Sequence, residues 1–289
     1  MIKRLVLPVL VVLFTVNLYA QKKGDKQKGK IQEVIYKTVS DSINLKMHLH
    51  YPSSFKKKKK YPTIVFFFGG GWNGGTITQF EDQAKYFASR GMIGVLVNYR
   101  VKNKHKTTPF ESVKDAKSAM RYLKINADKF NIDVDKMVAS GGSAGGHLAA
   151  ATTLLSEINE QTDDLSISPK ANALILYNPV IDNSKAGYGY ERIGERYLEF
   201  SPMHNINEGA PPTIFFLGSK DKLIPVSTAY NYKDKMEAVG SRCDVFIYEN
   251  QPHGFFNKWK ADGEYYIKTT READLFLQSL GFISGKVKL

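Results

Sequence analysis

The segment Gly141-Gly142-Ser143-Ala144-Gly145 limits what this chain can fold into more than any other stretch. A short apolar run beginning after Lys136 leads into it, and an Ala/Leu-rich run to Leu155 leads out. That is the pattern of a strand, a sharp turn and a helix. A serine at the apex of such a turn takes strained backbone geometry, so the residues two before and two after it must be almost without side chains. Gly141 and Gly145 meet that need. The Ser143 hydroxyl is then held above a sheet edge, with the Ala144 N–H at a helix N-terminus ready to stabilise negative charge. Taken alone, the same letters suit a Gly/Ser-rich loop that merely packs against a helix. The remaining chain has to decide.

Residues 31–39 and 45–51 alternate apolar and polar side chains, which predicts an antiparallel strand pair. The run at 61–68 is continuously apolar, as expected for a strand covered on both faces. Further strands are expected at 92–99, 171–177, 213–217 and 244–248, and helices at 80–90, 109–130, 227–239 and 264–280. This βα alternation predicts one α/β domain over residues 31–289, built on a doubly wound, mostly parallel sheet with helices on both faces. Residues 183–207 are irregular and rich in Gly, Tyr and charge, and are expected to form a lid or rim.

The first 20 residues read differently. A positive start (Lys3, Arg4), an apolar run from Leu5 to Val16 and Leu18-Tyr19-Ala20 match a secretory signal peptide cut after Ala20, too short for a comfortable membrane span. Residues 21–30 are expected to be a disordered lead-in, and the mature chain to be secreted or periplasmic without a stable membrane anchor. Cys243 is the only cysteine, so no intrachain disulfide can form, and its apolar surroundings predict a buried, inert thiol. The net charge of +13 gathers in residues 22–30 and 56–60, a solvated tail and loop without interleaved aromatics, which argues against nucleic-acid binding. His48 and His50 share one strand face, but without a supporting acidic or Cys cluster they are read as surface residues, and no metal or cofactor is expected.

Three more segments gain meaning from where they fall. Gly69-Gly70-Gly71 leaves a strand for a loop, where unobstructed backbone N–H groups can face a developing oxyanion; a flexible turn fits equally in isolation. Asp221, on the loop after strand 213–217, can accept from an imidazole or simply cap an Asx turn before Pro225. His253, followed by Gly254, leaves the last strand with room to reach across the sheet. Ser143, Asp221 and His253 thus each follow the C-terminal end of an expected parallel strand, where open α/β sheets bind ligands. They occur in the chain order Ser, Asp, His, at spacings of 78 and 32 positions.

With Gly69-Gly70-Gly71-Trp72, Asn98-Tyr99-Arg100, Gly141-Gly142-Ser143-Ala144-Gly145-Gly146-His147, the Asp221 loop and His253-Gly254-Phe255, the sequence resembles the α/β-hydrolase esterases of the hormone-sensitive-lipase-like kind. It is most similar to secreted bacterial acetyl and feruloyl esterases acting on polysaccharides. The resemblance covers residues 31 to about 280. It implies the α/β-hydrolase fold without a large cap domain, and a serine esterase with Ser143, Asp221 and His253 catalytic and Gly70, Gly71 and Ala144 forming the oxyanion hole. Phe68 stands where the family's oxyanion loop usually has His, which offers that loop no hydrogen bond. His147 is read as a helix residue supporting the turn. Trp72, Tyr188 and Tyr190, with Tyr197, are candidates for an acyl or sugar subsite, since flat aromatic faces suit sugar rings; core packing explains them as well. The expected partner is an acylated carbohydrate or other small ester. Two rivals stay open, a prolyl-oligopeptidase-type serine peptidase and a non-catalytic hydrolase-fold binding protein.

Overall fold

A computed structural model describes residues 29–289; the segment expected to be a signal peptide (1–20) and most of the expected lead-in (21–30) lie outside the described residues. Eight strands form one sheet: β1 (Ile31–Ser40), β2 (Ile43–His50), β3 (Tyr61–Phe67), β4 (Ile93–Val97), β5 (Ile132–Gly142), β6 (Ala173–Tyr177), β7 (Thr213–Gly218) and β8 (Cys243–Tyr248). Their spatial order is β1-β2-β4-β3-β5-β6-β7-β8. β1 pairs antiparallel with β2, and β2 antiparallel with β4, while every pairing from β4 to β8 is parallel. This is the expected doubly wound sheet with its antiparallel N-terminal pair, the α/β-hydrolase fold. The strand order reverses around β3 and β5, so the loops after those strands open beside one another, the place where such sheets build sites.

Five helices longer than two turns cover the sheet: α1 (Glu81–Ser89), α2 (Pro109–Ile125), α3 (Ala144–Leu154), α4 (Val226–Ala238) and α5 (Glu264–Ser279). On one face, Val113, Ala116 and Met120 of α2, Leu148 and Ala151 of α3, and Tyr232 and Met236 of α4 pack on Val65, Ala139, Leu176 and Phe215. On the other, Phe87 of α1 and Phe276 and Leu277 of α5 pack on Ile64, Phe66, Val138 and Ile175. Successive strand residues thus feed two separate cores, which explains why the parallel strands read as unbroken apolar runs. α3 is buried along its whole length, which accounts for its Ala/Leu composition.

Three features differ from the sequence expectation. The helix expected over 109–130 ends at Ile125, because the Asn126 side chain donates to the Tyr122 carbonyl at 2.9 Å. A separate single turn, Ala127–Phe130, follows and is closed by left-handed Asn131. Within residues 183–207, expected to be irregular, Tyr190–Ile193, Gly194–Arg196, Tyr197–Phe200 and Pro202–His204 form short helical turns. His50, read as a surface residue beside His48, is buried, since α1 crosses the end of β2; His48 alone stays accessible and meets Glu33 at 3.1 Å.

Candidate active site

The site begins at the β5–α3 turn. Ser143 has φ 54 and ψ −121, a conformation a β-carbon resists and which persists only where the surroundings over-determine it. Here they do: the Ser143 N–H donates to the Tyr177 carbonyl at 2.9 Å, and the Ser143 carbonyl accepts from His147 at 3.0 Å and Val180 at 3.1 Å. Close approach also fixes both neighbouring glycines. A β-carbon on Gly141 would stand 2.3 Å from the Gly145 carbonyl oxygen, and one on Gly145 only 2.1 Å from that of Phe67. The motif is therefore a tight crossing of β5, α3 and the end of β3, and no larger residue fits.

Ser143, His253 and Asp221 converge from three strand ends. His253 Nε2 lies 2.9 Å from Ser143 Oγ, and His253 Nδ1 lies 2.7 Å from Asp221 Oδ2. The Asp221 carboxylate is fully buried, whereas the imidazole is 23% exposed. Asp221 serves both roles open to it: Oδ2 meets the imidazole, while Oδ1 accepts the N–H groups of Leu223 at 2.8 Å and Ile224 at 3.0 Å. The Asx turn and the histidine contact thus coexist, and the turn is what aims the carboxylate. With Nδ1–H donated to Asp221, Nε2 is left as the acceptor facing Ser143.

The Gly69–Gly71 loop runs alongside. A methyl group on Gly69 would sit 3.4 Å from the Ser143 β-carbon. Gly70 and Gly71 have φ 126 and 62, and a β-carbon on Gly70 would meet the Gly74 carbonyl oxygen at 2.3 Å. Phe68, in the place of the family's His, is held without any side-chain hydrogen bond. Its ring stacks on Tyr99 with centroids 4.1 Å apart, and the Tyr99 hydroxyl donates to the Phe68 carbonyl at 2.6 Å. The Asn98-Tyr99-Arg100 motif therefore acts as the brace: Arg100 in turn forms a two-pronged pair with buried Asp115 of α2, at 2.7 Å on each prong.

Other polar groups hold the site together, and sequence reading did not find them. Asn178, buried after β6 with φ 34, places Nδ2 3.3 Å from His253 Nε2 and accepts the Gly254 N–H at 3.0 Å. Gln79 accepts the Gly69 N–H at 2.6 Å and donates to Asn257 at 3.1 Å, and Asn257 donates to the Gly254 carbonyl at 2.8 Å. Arg192 donates to the Gly71 carbonyl. The signal available for Asn178 was an Asn-Pro pair directly after a buried strand; Gln79, Asn257 and Arg192 carried none.

The aromatic candidates divide. Trp72 is only 1% exposed and packs edge-on against His147 at 5.1 Å and Phe200 at 5.7 Å, so it presents no open face for a sugar ring. Core packing, the alternative reading, applies to it. Tyr188 borders the glycine loop, its hydroxyl 3.1 Å from where a Gly71 β-carbon would stand. Tyr190 turns to its own segment, meeting Tyr197 at 6.0 Å and the Glu195 carboxylate. His147 is fully buried beneath the turn, its Nε2–H donating to the Phe200 carbonyl at 2.9 Å. Burial drives its pKa down to about 3. Cys243 is buried and free, and burial pushes its thiol up to about 12.

Known proteins share this architecture. The BD-FAE family model matches residues 47–188, and the dienelactone hydrolase family model matches residues 171–279. The solved esterase 2 of Thermogutta terrifontis, described with propionate bound, is 39% identical, with 91% of this chain and 98% of that one covered and a TM-score of 0.84. The same esterase has been solved phosphorylated by paraoxon. An endo-1,4-beta-xylanase B of Butyrivibrio fibrisolvens is 25% identical over 66% of this chain and 33% of its own length. An acetylxylan esterase of Xylanibacter ruminicola is 27% identical over 59% of this chain and 36% of its own. The chain thus spans about a third of the length of these two curated relatives, but nearly all of the solved esterase. On the strength of that near-complete match and of the sheet beneath it, the chain belongs to the α/β-hydrolase esterases.

Proposed function

We propose that the protein hydrolyses carboxylic esters through an acyl-enzyme on Ser143, and that its substrates are acylated carbohydrates. The observation that carries the reading is the unbroken relay from Ser143 Oγ through both His253 nitrogens to Asp221 Oδ2, at 2.9 and 2.7 Å. In this mechanism His253 Nε2 takes the hydroxyl proton as Oγ attacks the ester carbonyl, and Asp221 fixes the tautomer and stabilises the imidazolium. The carbonyl oxygen, now anionic, is received by main-chain N–H groups of Gly70, Gly71 and Ala144, each such donor being worth ~10²–10³ in rate. The imidazolium then protonates the departing alcohol, and the C–O bond to it breaks. Water, deprotonated by the same imidazole, attacks the acyl-enzyme and releases the carboxylic acid and free Ser143.

The carbohydrate part of the proposal is supported by relatives named for acetylxylan and xylan chemistry. Export, read from residues 1–20, belongs to the same proposal, and N-terminal sequencing of the mature protein from the producing cell tests it. For the activity, the test is hydrolysis of acetyl, butyryl and feruloyl model esters and of acetylated oligosaccharides, with Ser143→Ala beside the parent. The parent is expected to turn over short acyl esters and to be labelled by a fluorophosphonate, and Ser143→Ala to lose both. Near-normal turnover by Ser143→Ala would eliminate the assignment, and preferential cleavage of aminoacyl-proline amides would replace it with a peptidase.

A further inference from the structure

Three residues beyond Gly69, the loop that borders Ser143 enters the wall of a cleft of about 290 Å³ lined by Trp72, Lys102, Lys106, Thr107, Pro109 and Arg192, among others. Among the described residues no Asp or Glu lines it. The two lysines begin and cap a single turn, Lys102–His105, that is fastened to this same loop. The Lys102 N–H donates to the Trp72 carbonyl and the Asn103 N–H to that of Asn73, both at 2.9 Å. Arg192 stands over the Trp72 ring at 5.1 Å, and its Nη1 bonds the Gly71 carbonyl while its Nε meets Glu191 at 3.0 Å. Two buried polar atoms of the lining side chains, Trp72 Nε1 and Thr107 Oγ1, have no hydrogen-bond partner among the described residues. An indole N–H can only donate and a hydroxyl can donate. Among the described residues the cleft thus gathers three cations, of which only Arg192 pairs with a carboxylate, that of Glu191, together with two buried donors that lack a partner: the donor set of an anion site. Three residues of chain span at most about 10 Å, so the cleft is within reach of a substituent on an ester held at Ser143.

Resting on the ester-hydrolase reading above, we propose that this cleft is a carboxylate subsite, and that the preferred substrates are esters carrying a carboxylate beside the scissile bond. The carboxylate can come from either half of the ester, from a uronic acid in the sugar or from the far end of a dicarboxylic acyl group. Both place the same anion against Lys102, Lys106 and Arg192.

The test compares matched pairs on the full chain at low salt. One pair is acetylated galacturonate and acetylated xylose oligosaccharides; the other is p-nitrophenyl hemisuccinate and p-nitrophenyl butyrate. The expected result is a higher kcat/KM for the anionic member of at least one pair, and that pair identifies the source of the carboxylate. In Lys102→Gln/Lys106→Gln the anionic-to-neutral ratio is expected to fall by roughly fivefold to tenfold, the effect of losing two exposed charge contacts. Raising salt should shrink the parent's ratio toward that of the variant, since exposed charges are screened within about 10 Å at 0.1 M. No anionic preference in either pair, or a ratio unchanged in the double variant, overturns the subsite while leaving the esterase intact. Absence of turnover on p-nitrophenyl butyrate and every other neutral ester would instead remove the esterase reading, and the subsite with it.

Discussion

Gln79 and Asn257 lie 178 residues apart in the chain and share a hydrogen bond of 3.1 Å that ties the Gly69–Gly71 loop to the loop carrying His253. Gln79 passes the connection on through Oε1, which accepts the Gly69 N–H at 2.6 Å, and Asn257 through Nδ2, which donates to the Gly254 carbonyl at 2.8 Å. The relay proposed to activate Ser143 and the loop proposed to receive the oxyanion are thus held at one spacing by a two-residue strut. Neither strut residue touches the position of the reacting atoms, so both are positioning residues.

Gln79→Ala is expected to lower kcat by roughly 10- to 100-fold with little change in KM, because a small displacement of a pre-set donor costs much in the transition state and little in the ground state. Gln79→Glu keeps an acceptor for Gly69 while losing the donor to Asn257, and should fall between parent and alanine variant. Steady-state kinetics on a soluble aryl ester read both. An alanine variant that raised KM and left kcat alone would assign Gln79 to substrate binding instead.

Asp221 allows its two functions to be separated. In Asp221→Asn, the side-chain oxygen still accepts from Leu223 and Ile224, but an amide N–H now faces His253 Nδ1 and favours the wrong tautomer. A loss of about 10⁴ in kcat is expected with the melting temperature nearly unchanged. Asp221→Ala removes the turn as well as the tautomer control, so it should lose comparable activity and also melt a few degrees lower, as the N–H groups of Leu223 and Ile224 lose their acceptor. Equal melting temperatures for the two variants would contradict the structural half of this assignment.

The sheet and the Ser143, Asp221 and His253 group were legible because each rests on a local rule. Apolar runs of strand length gave the strands, and glycines at fixed offsets from Ser143 gave the sharp turn. What was not legible depends on contacts between distant segments. Trp72 suits a substrate platform and a core position equally in sequence, and only the fold decides, since His147 and Phe200, contributed by α3 and the 183–207 segment, close over it. His50 is hidden for the same reason, by α1. Gln79 and Asn257 have no sequence signature, since a glutamine and an asparagine that bond across 178 residues look like any surface amides until the loops are folded. Phe68 posed the converse problem: the motif marked a missing hydrogen bond, but only the fold supplied its replacement in Tyr99.

That replacement can be tested. Tyr99→Phe keeps the ring stack on Phe68 and removes only the hydroxyl that donates to the Phe68 carbonyl at 2.6 Å. With the carbonyl left unpaired in a buried site, stability should fall by about 1–3 kcal/mol. Because that carbonyl adjoins the glycine loop, ester turnover should fall as well, whereas the neighbouring β4 core should be unaffected. Urea titration and kinetics on the same sample check the pair; a loss of stability with fully retained kcat would mean the hydroxyl braces the fold but not the loop.

His147 ties stability to pH beneath the turn. Burial holds its pKa at about 3 against an ordinary value of 6.5, so the folded protein keeps the ring neutral where the unfolded chain would protonate it. The sign follows from linkage. The folded pKa is depressed, so the contribution is fully present above pH 6.5, declines below it as the unfolded state takes up a proton, and is gone once pH falls through about 3. The slope over that window is about 1.4 kcal/mol per pH unit, so from pH 7 to pH 5 roughly 2 kcal/mol should be lost on this account. His50, whose pKa burial also lowers, adds a loss of the same sign. His147→Gln separates them, since a glutamine amide can still donate to the Phe200 carbonyl but cannot take a proton. Urea midpoints at pH 7 and pH 5 should show the variant losing about 2 kcal/mol less than the parent on acidification. Identical acid sensitivity in parent and variant would place the pH dependence elsewhere in the molecule.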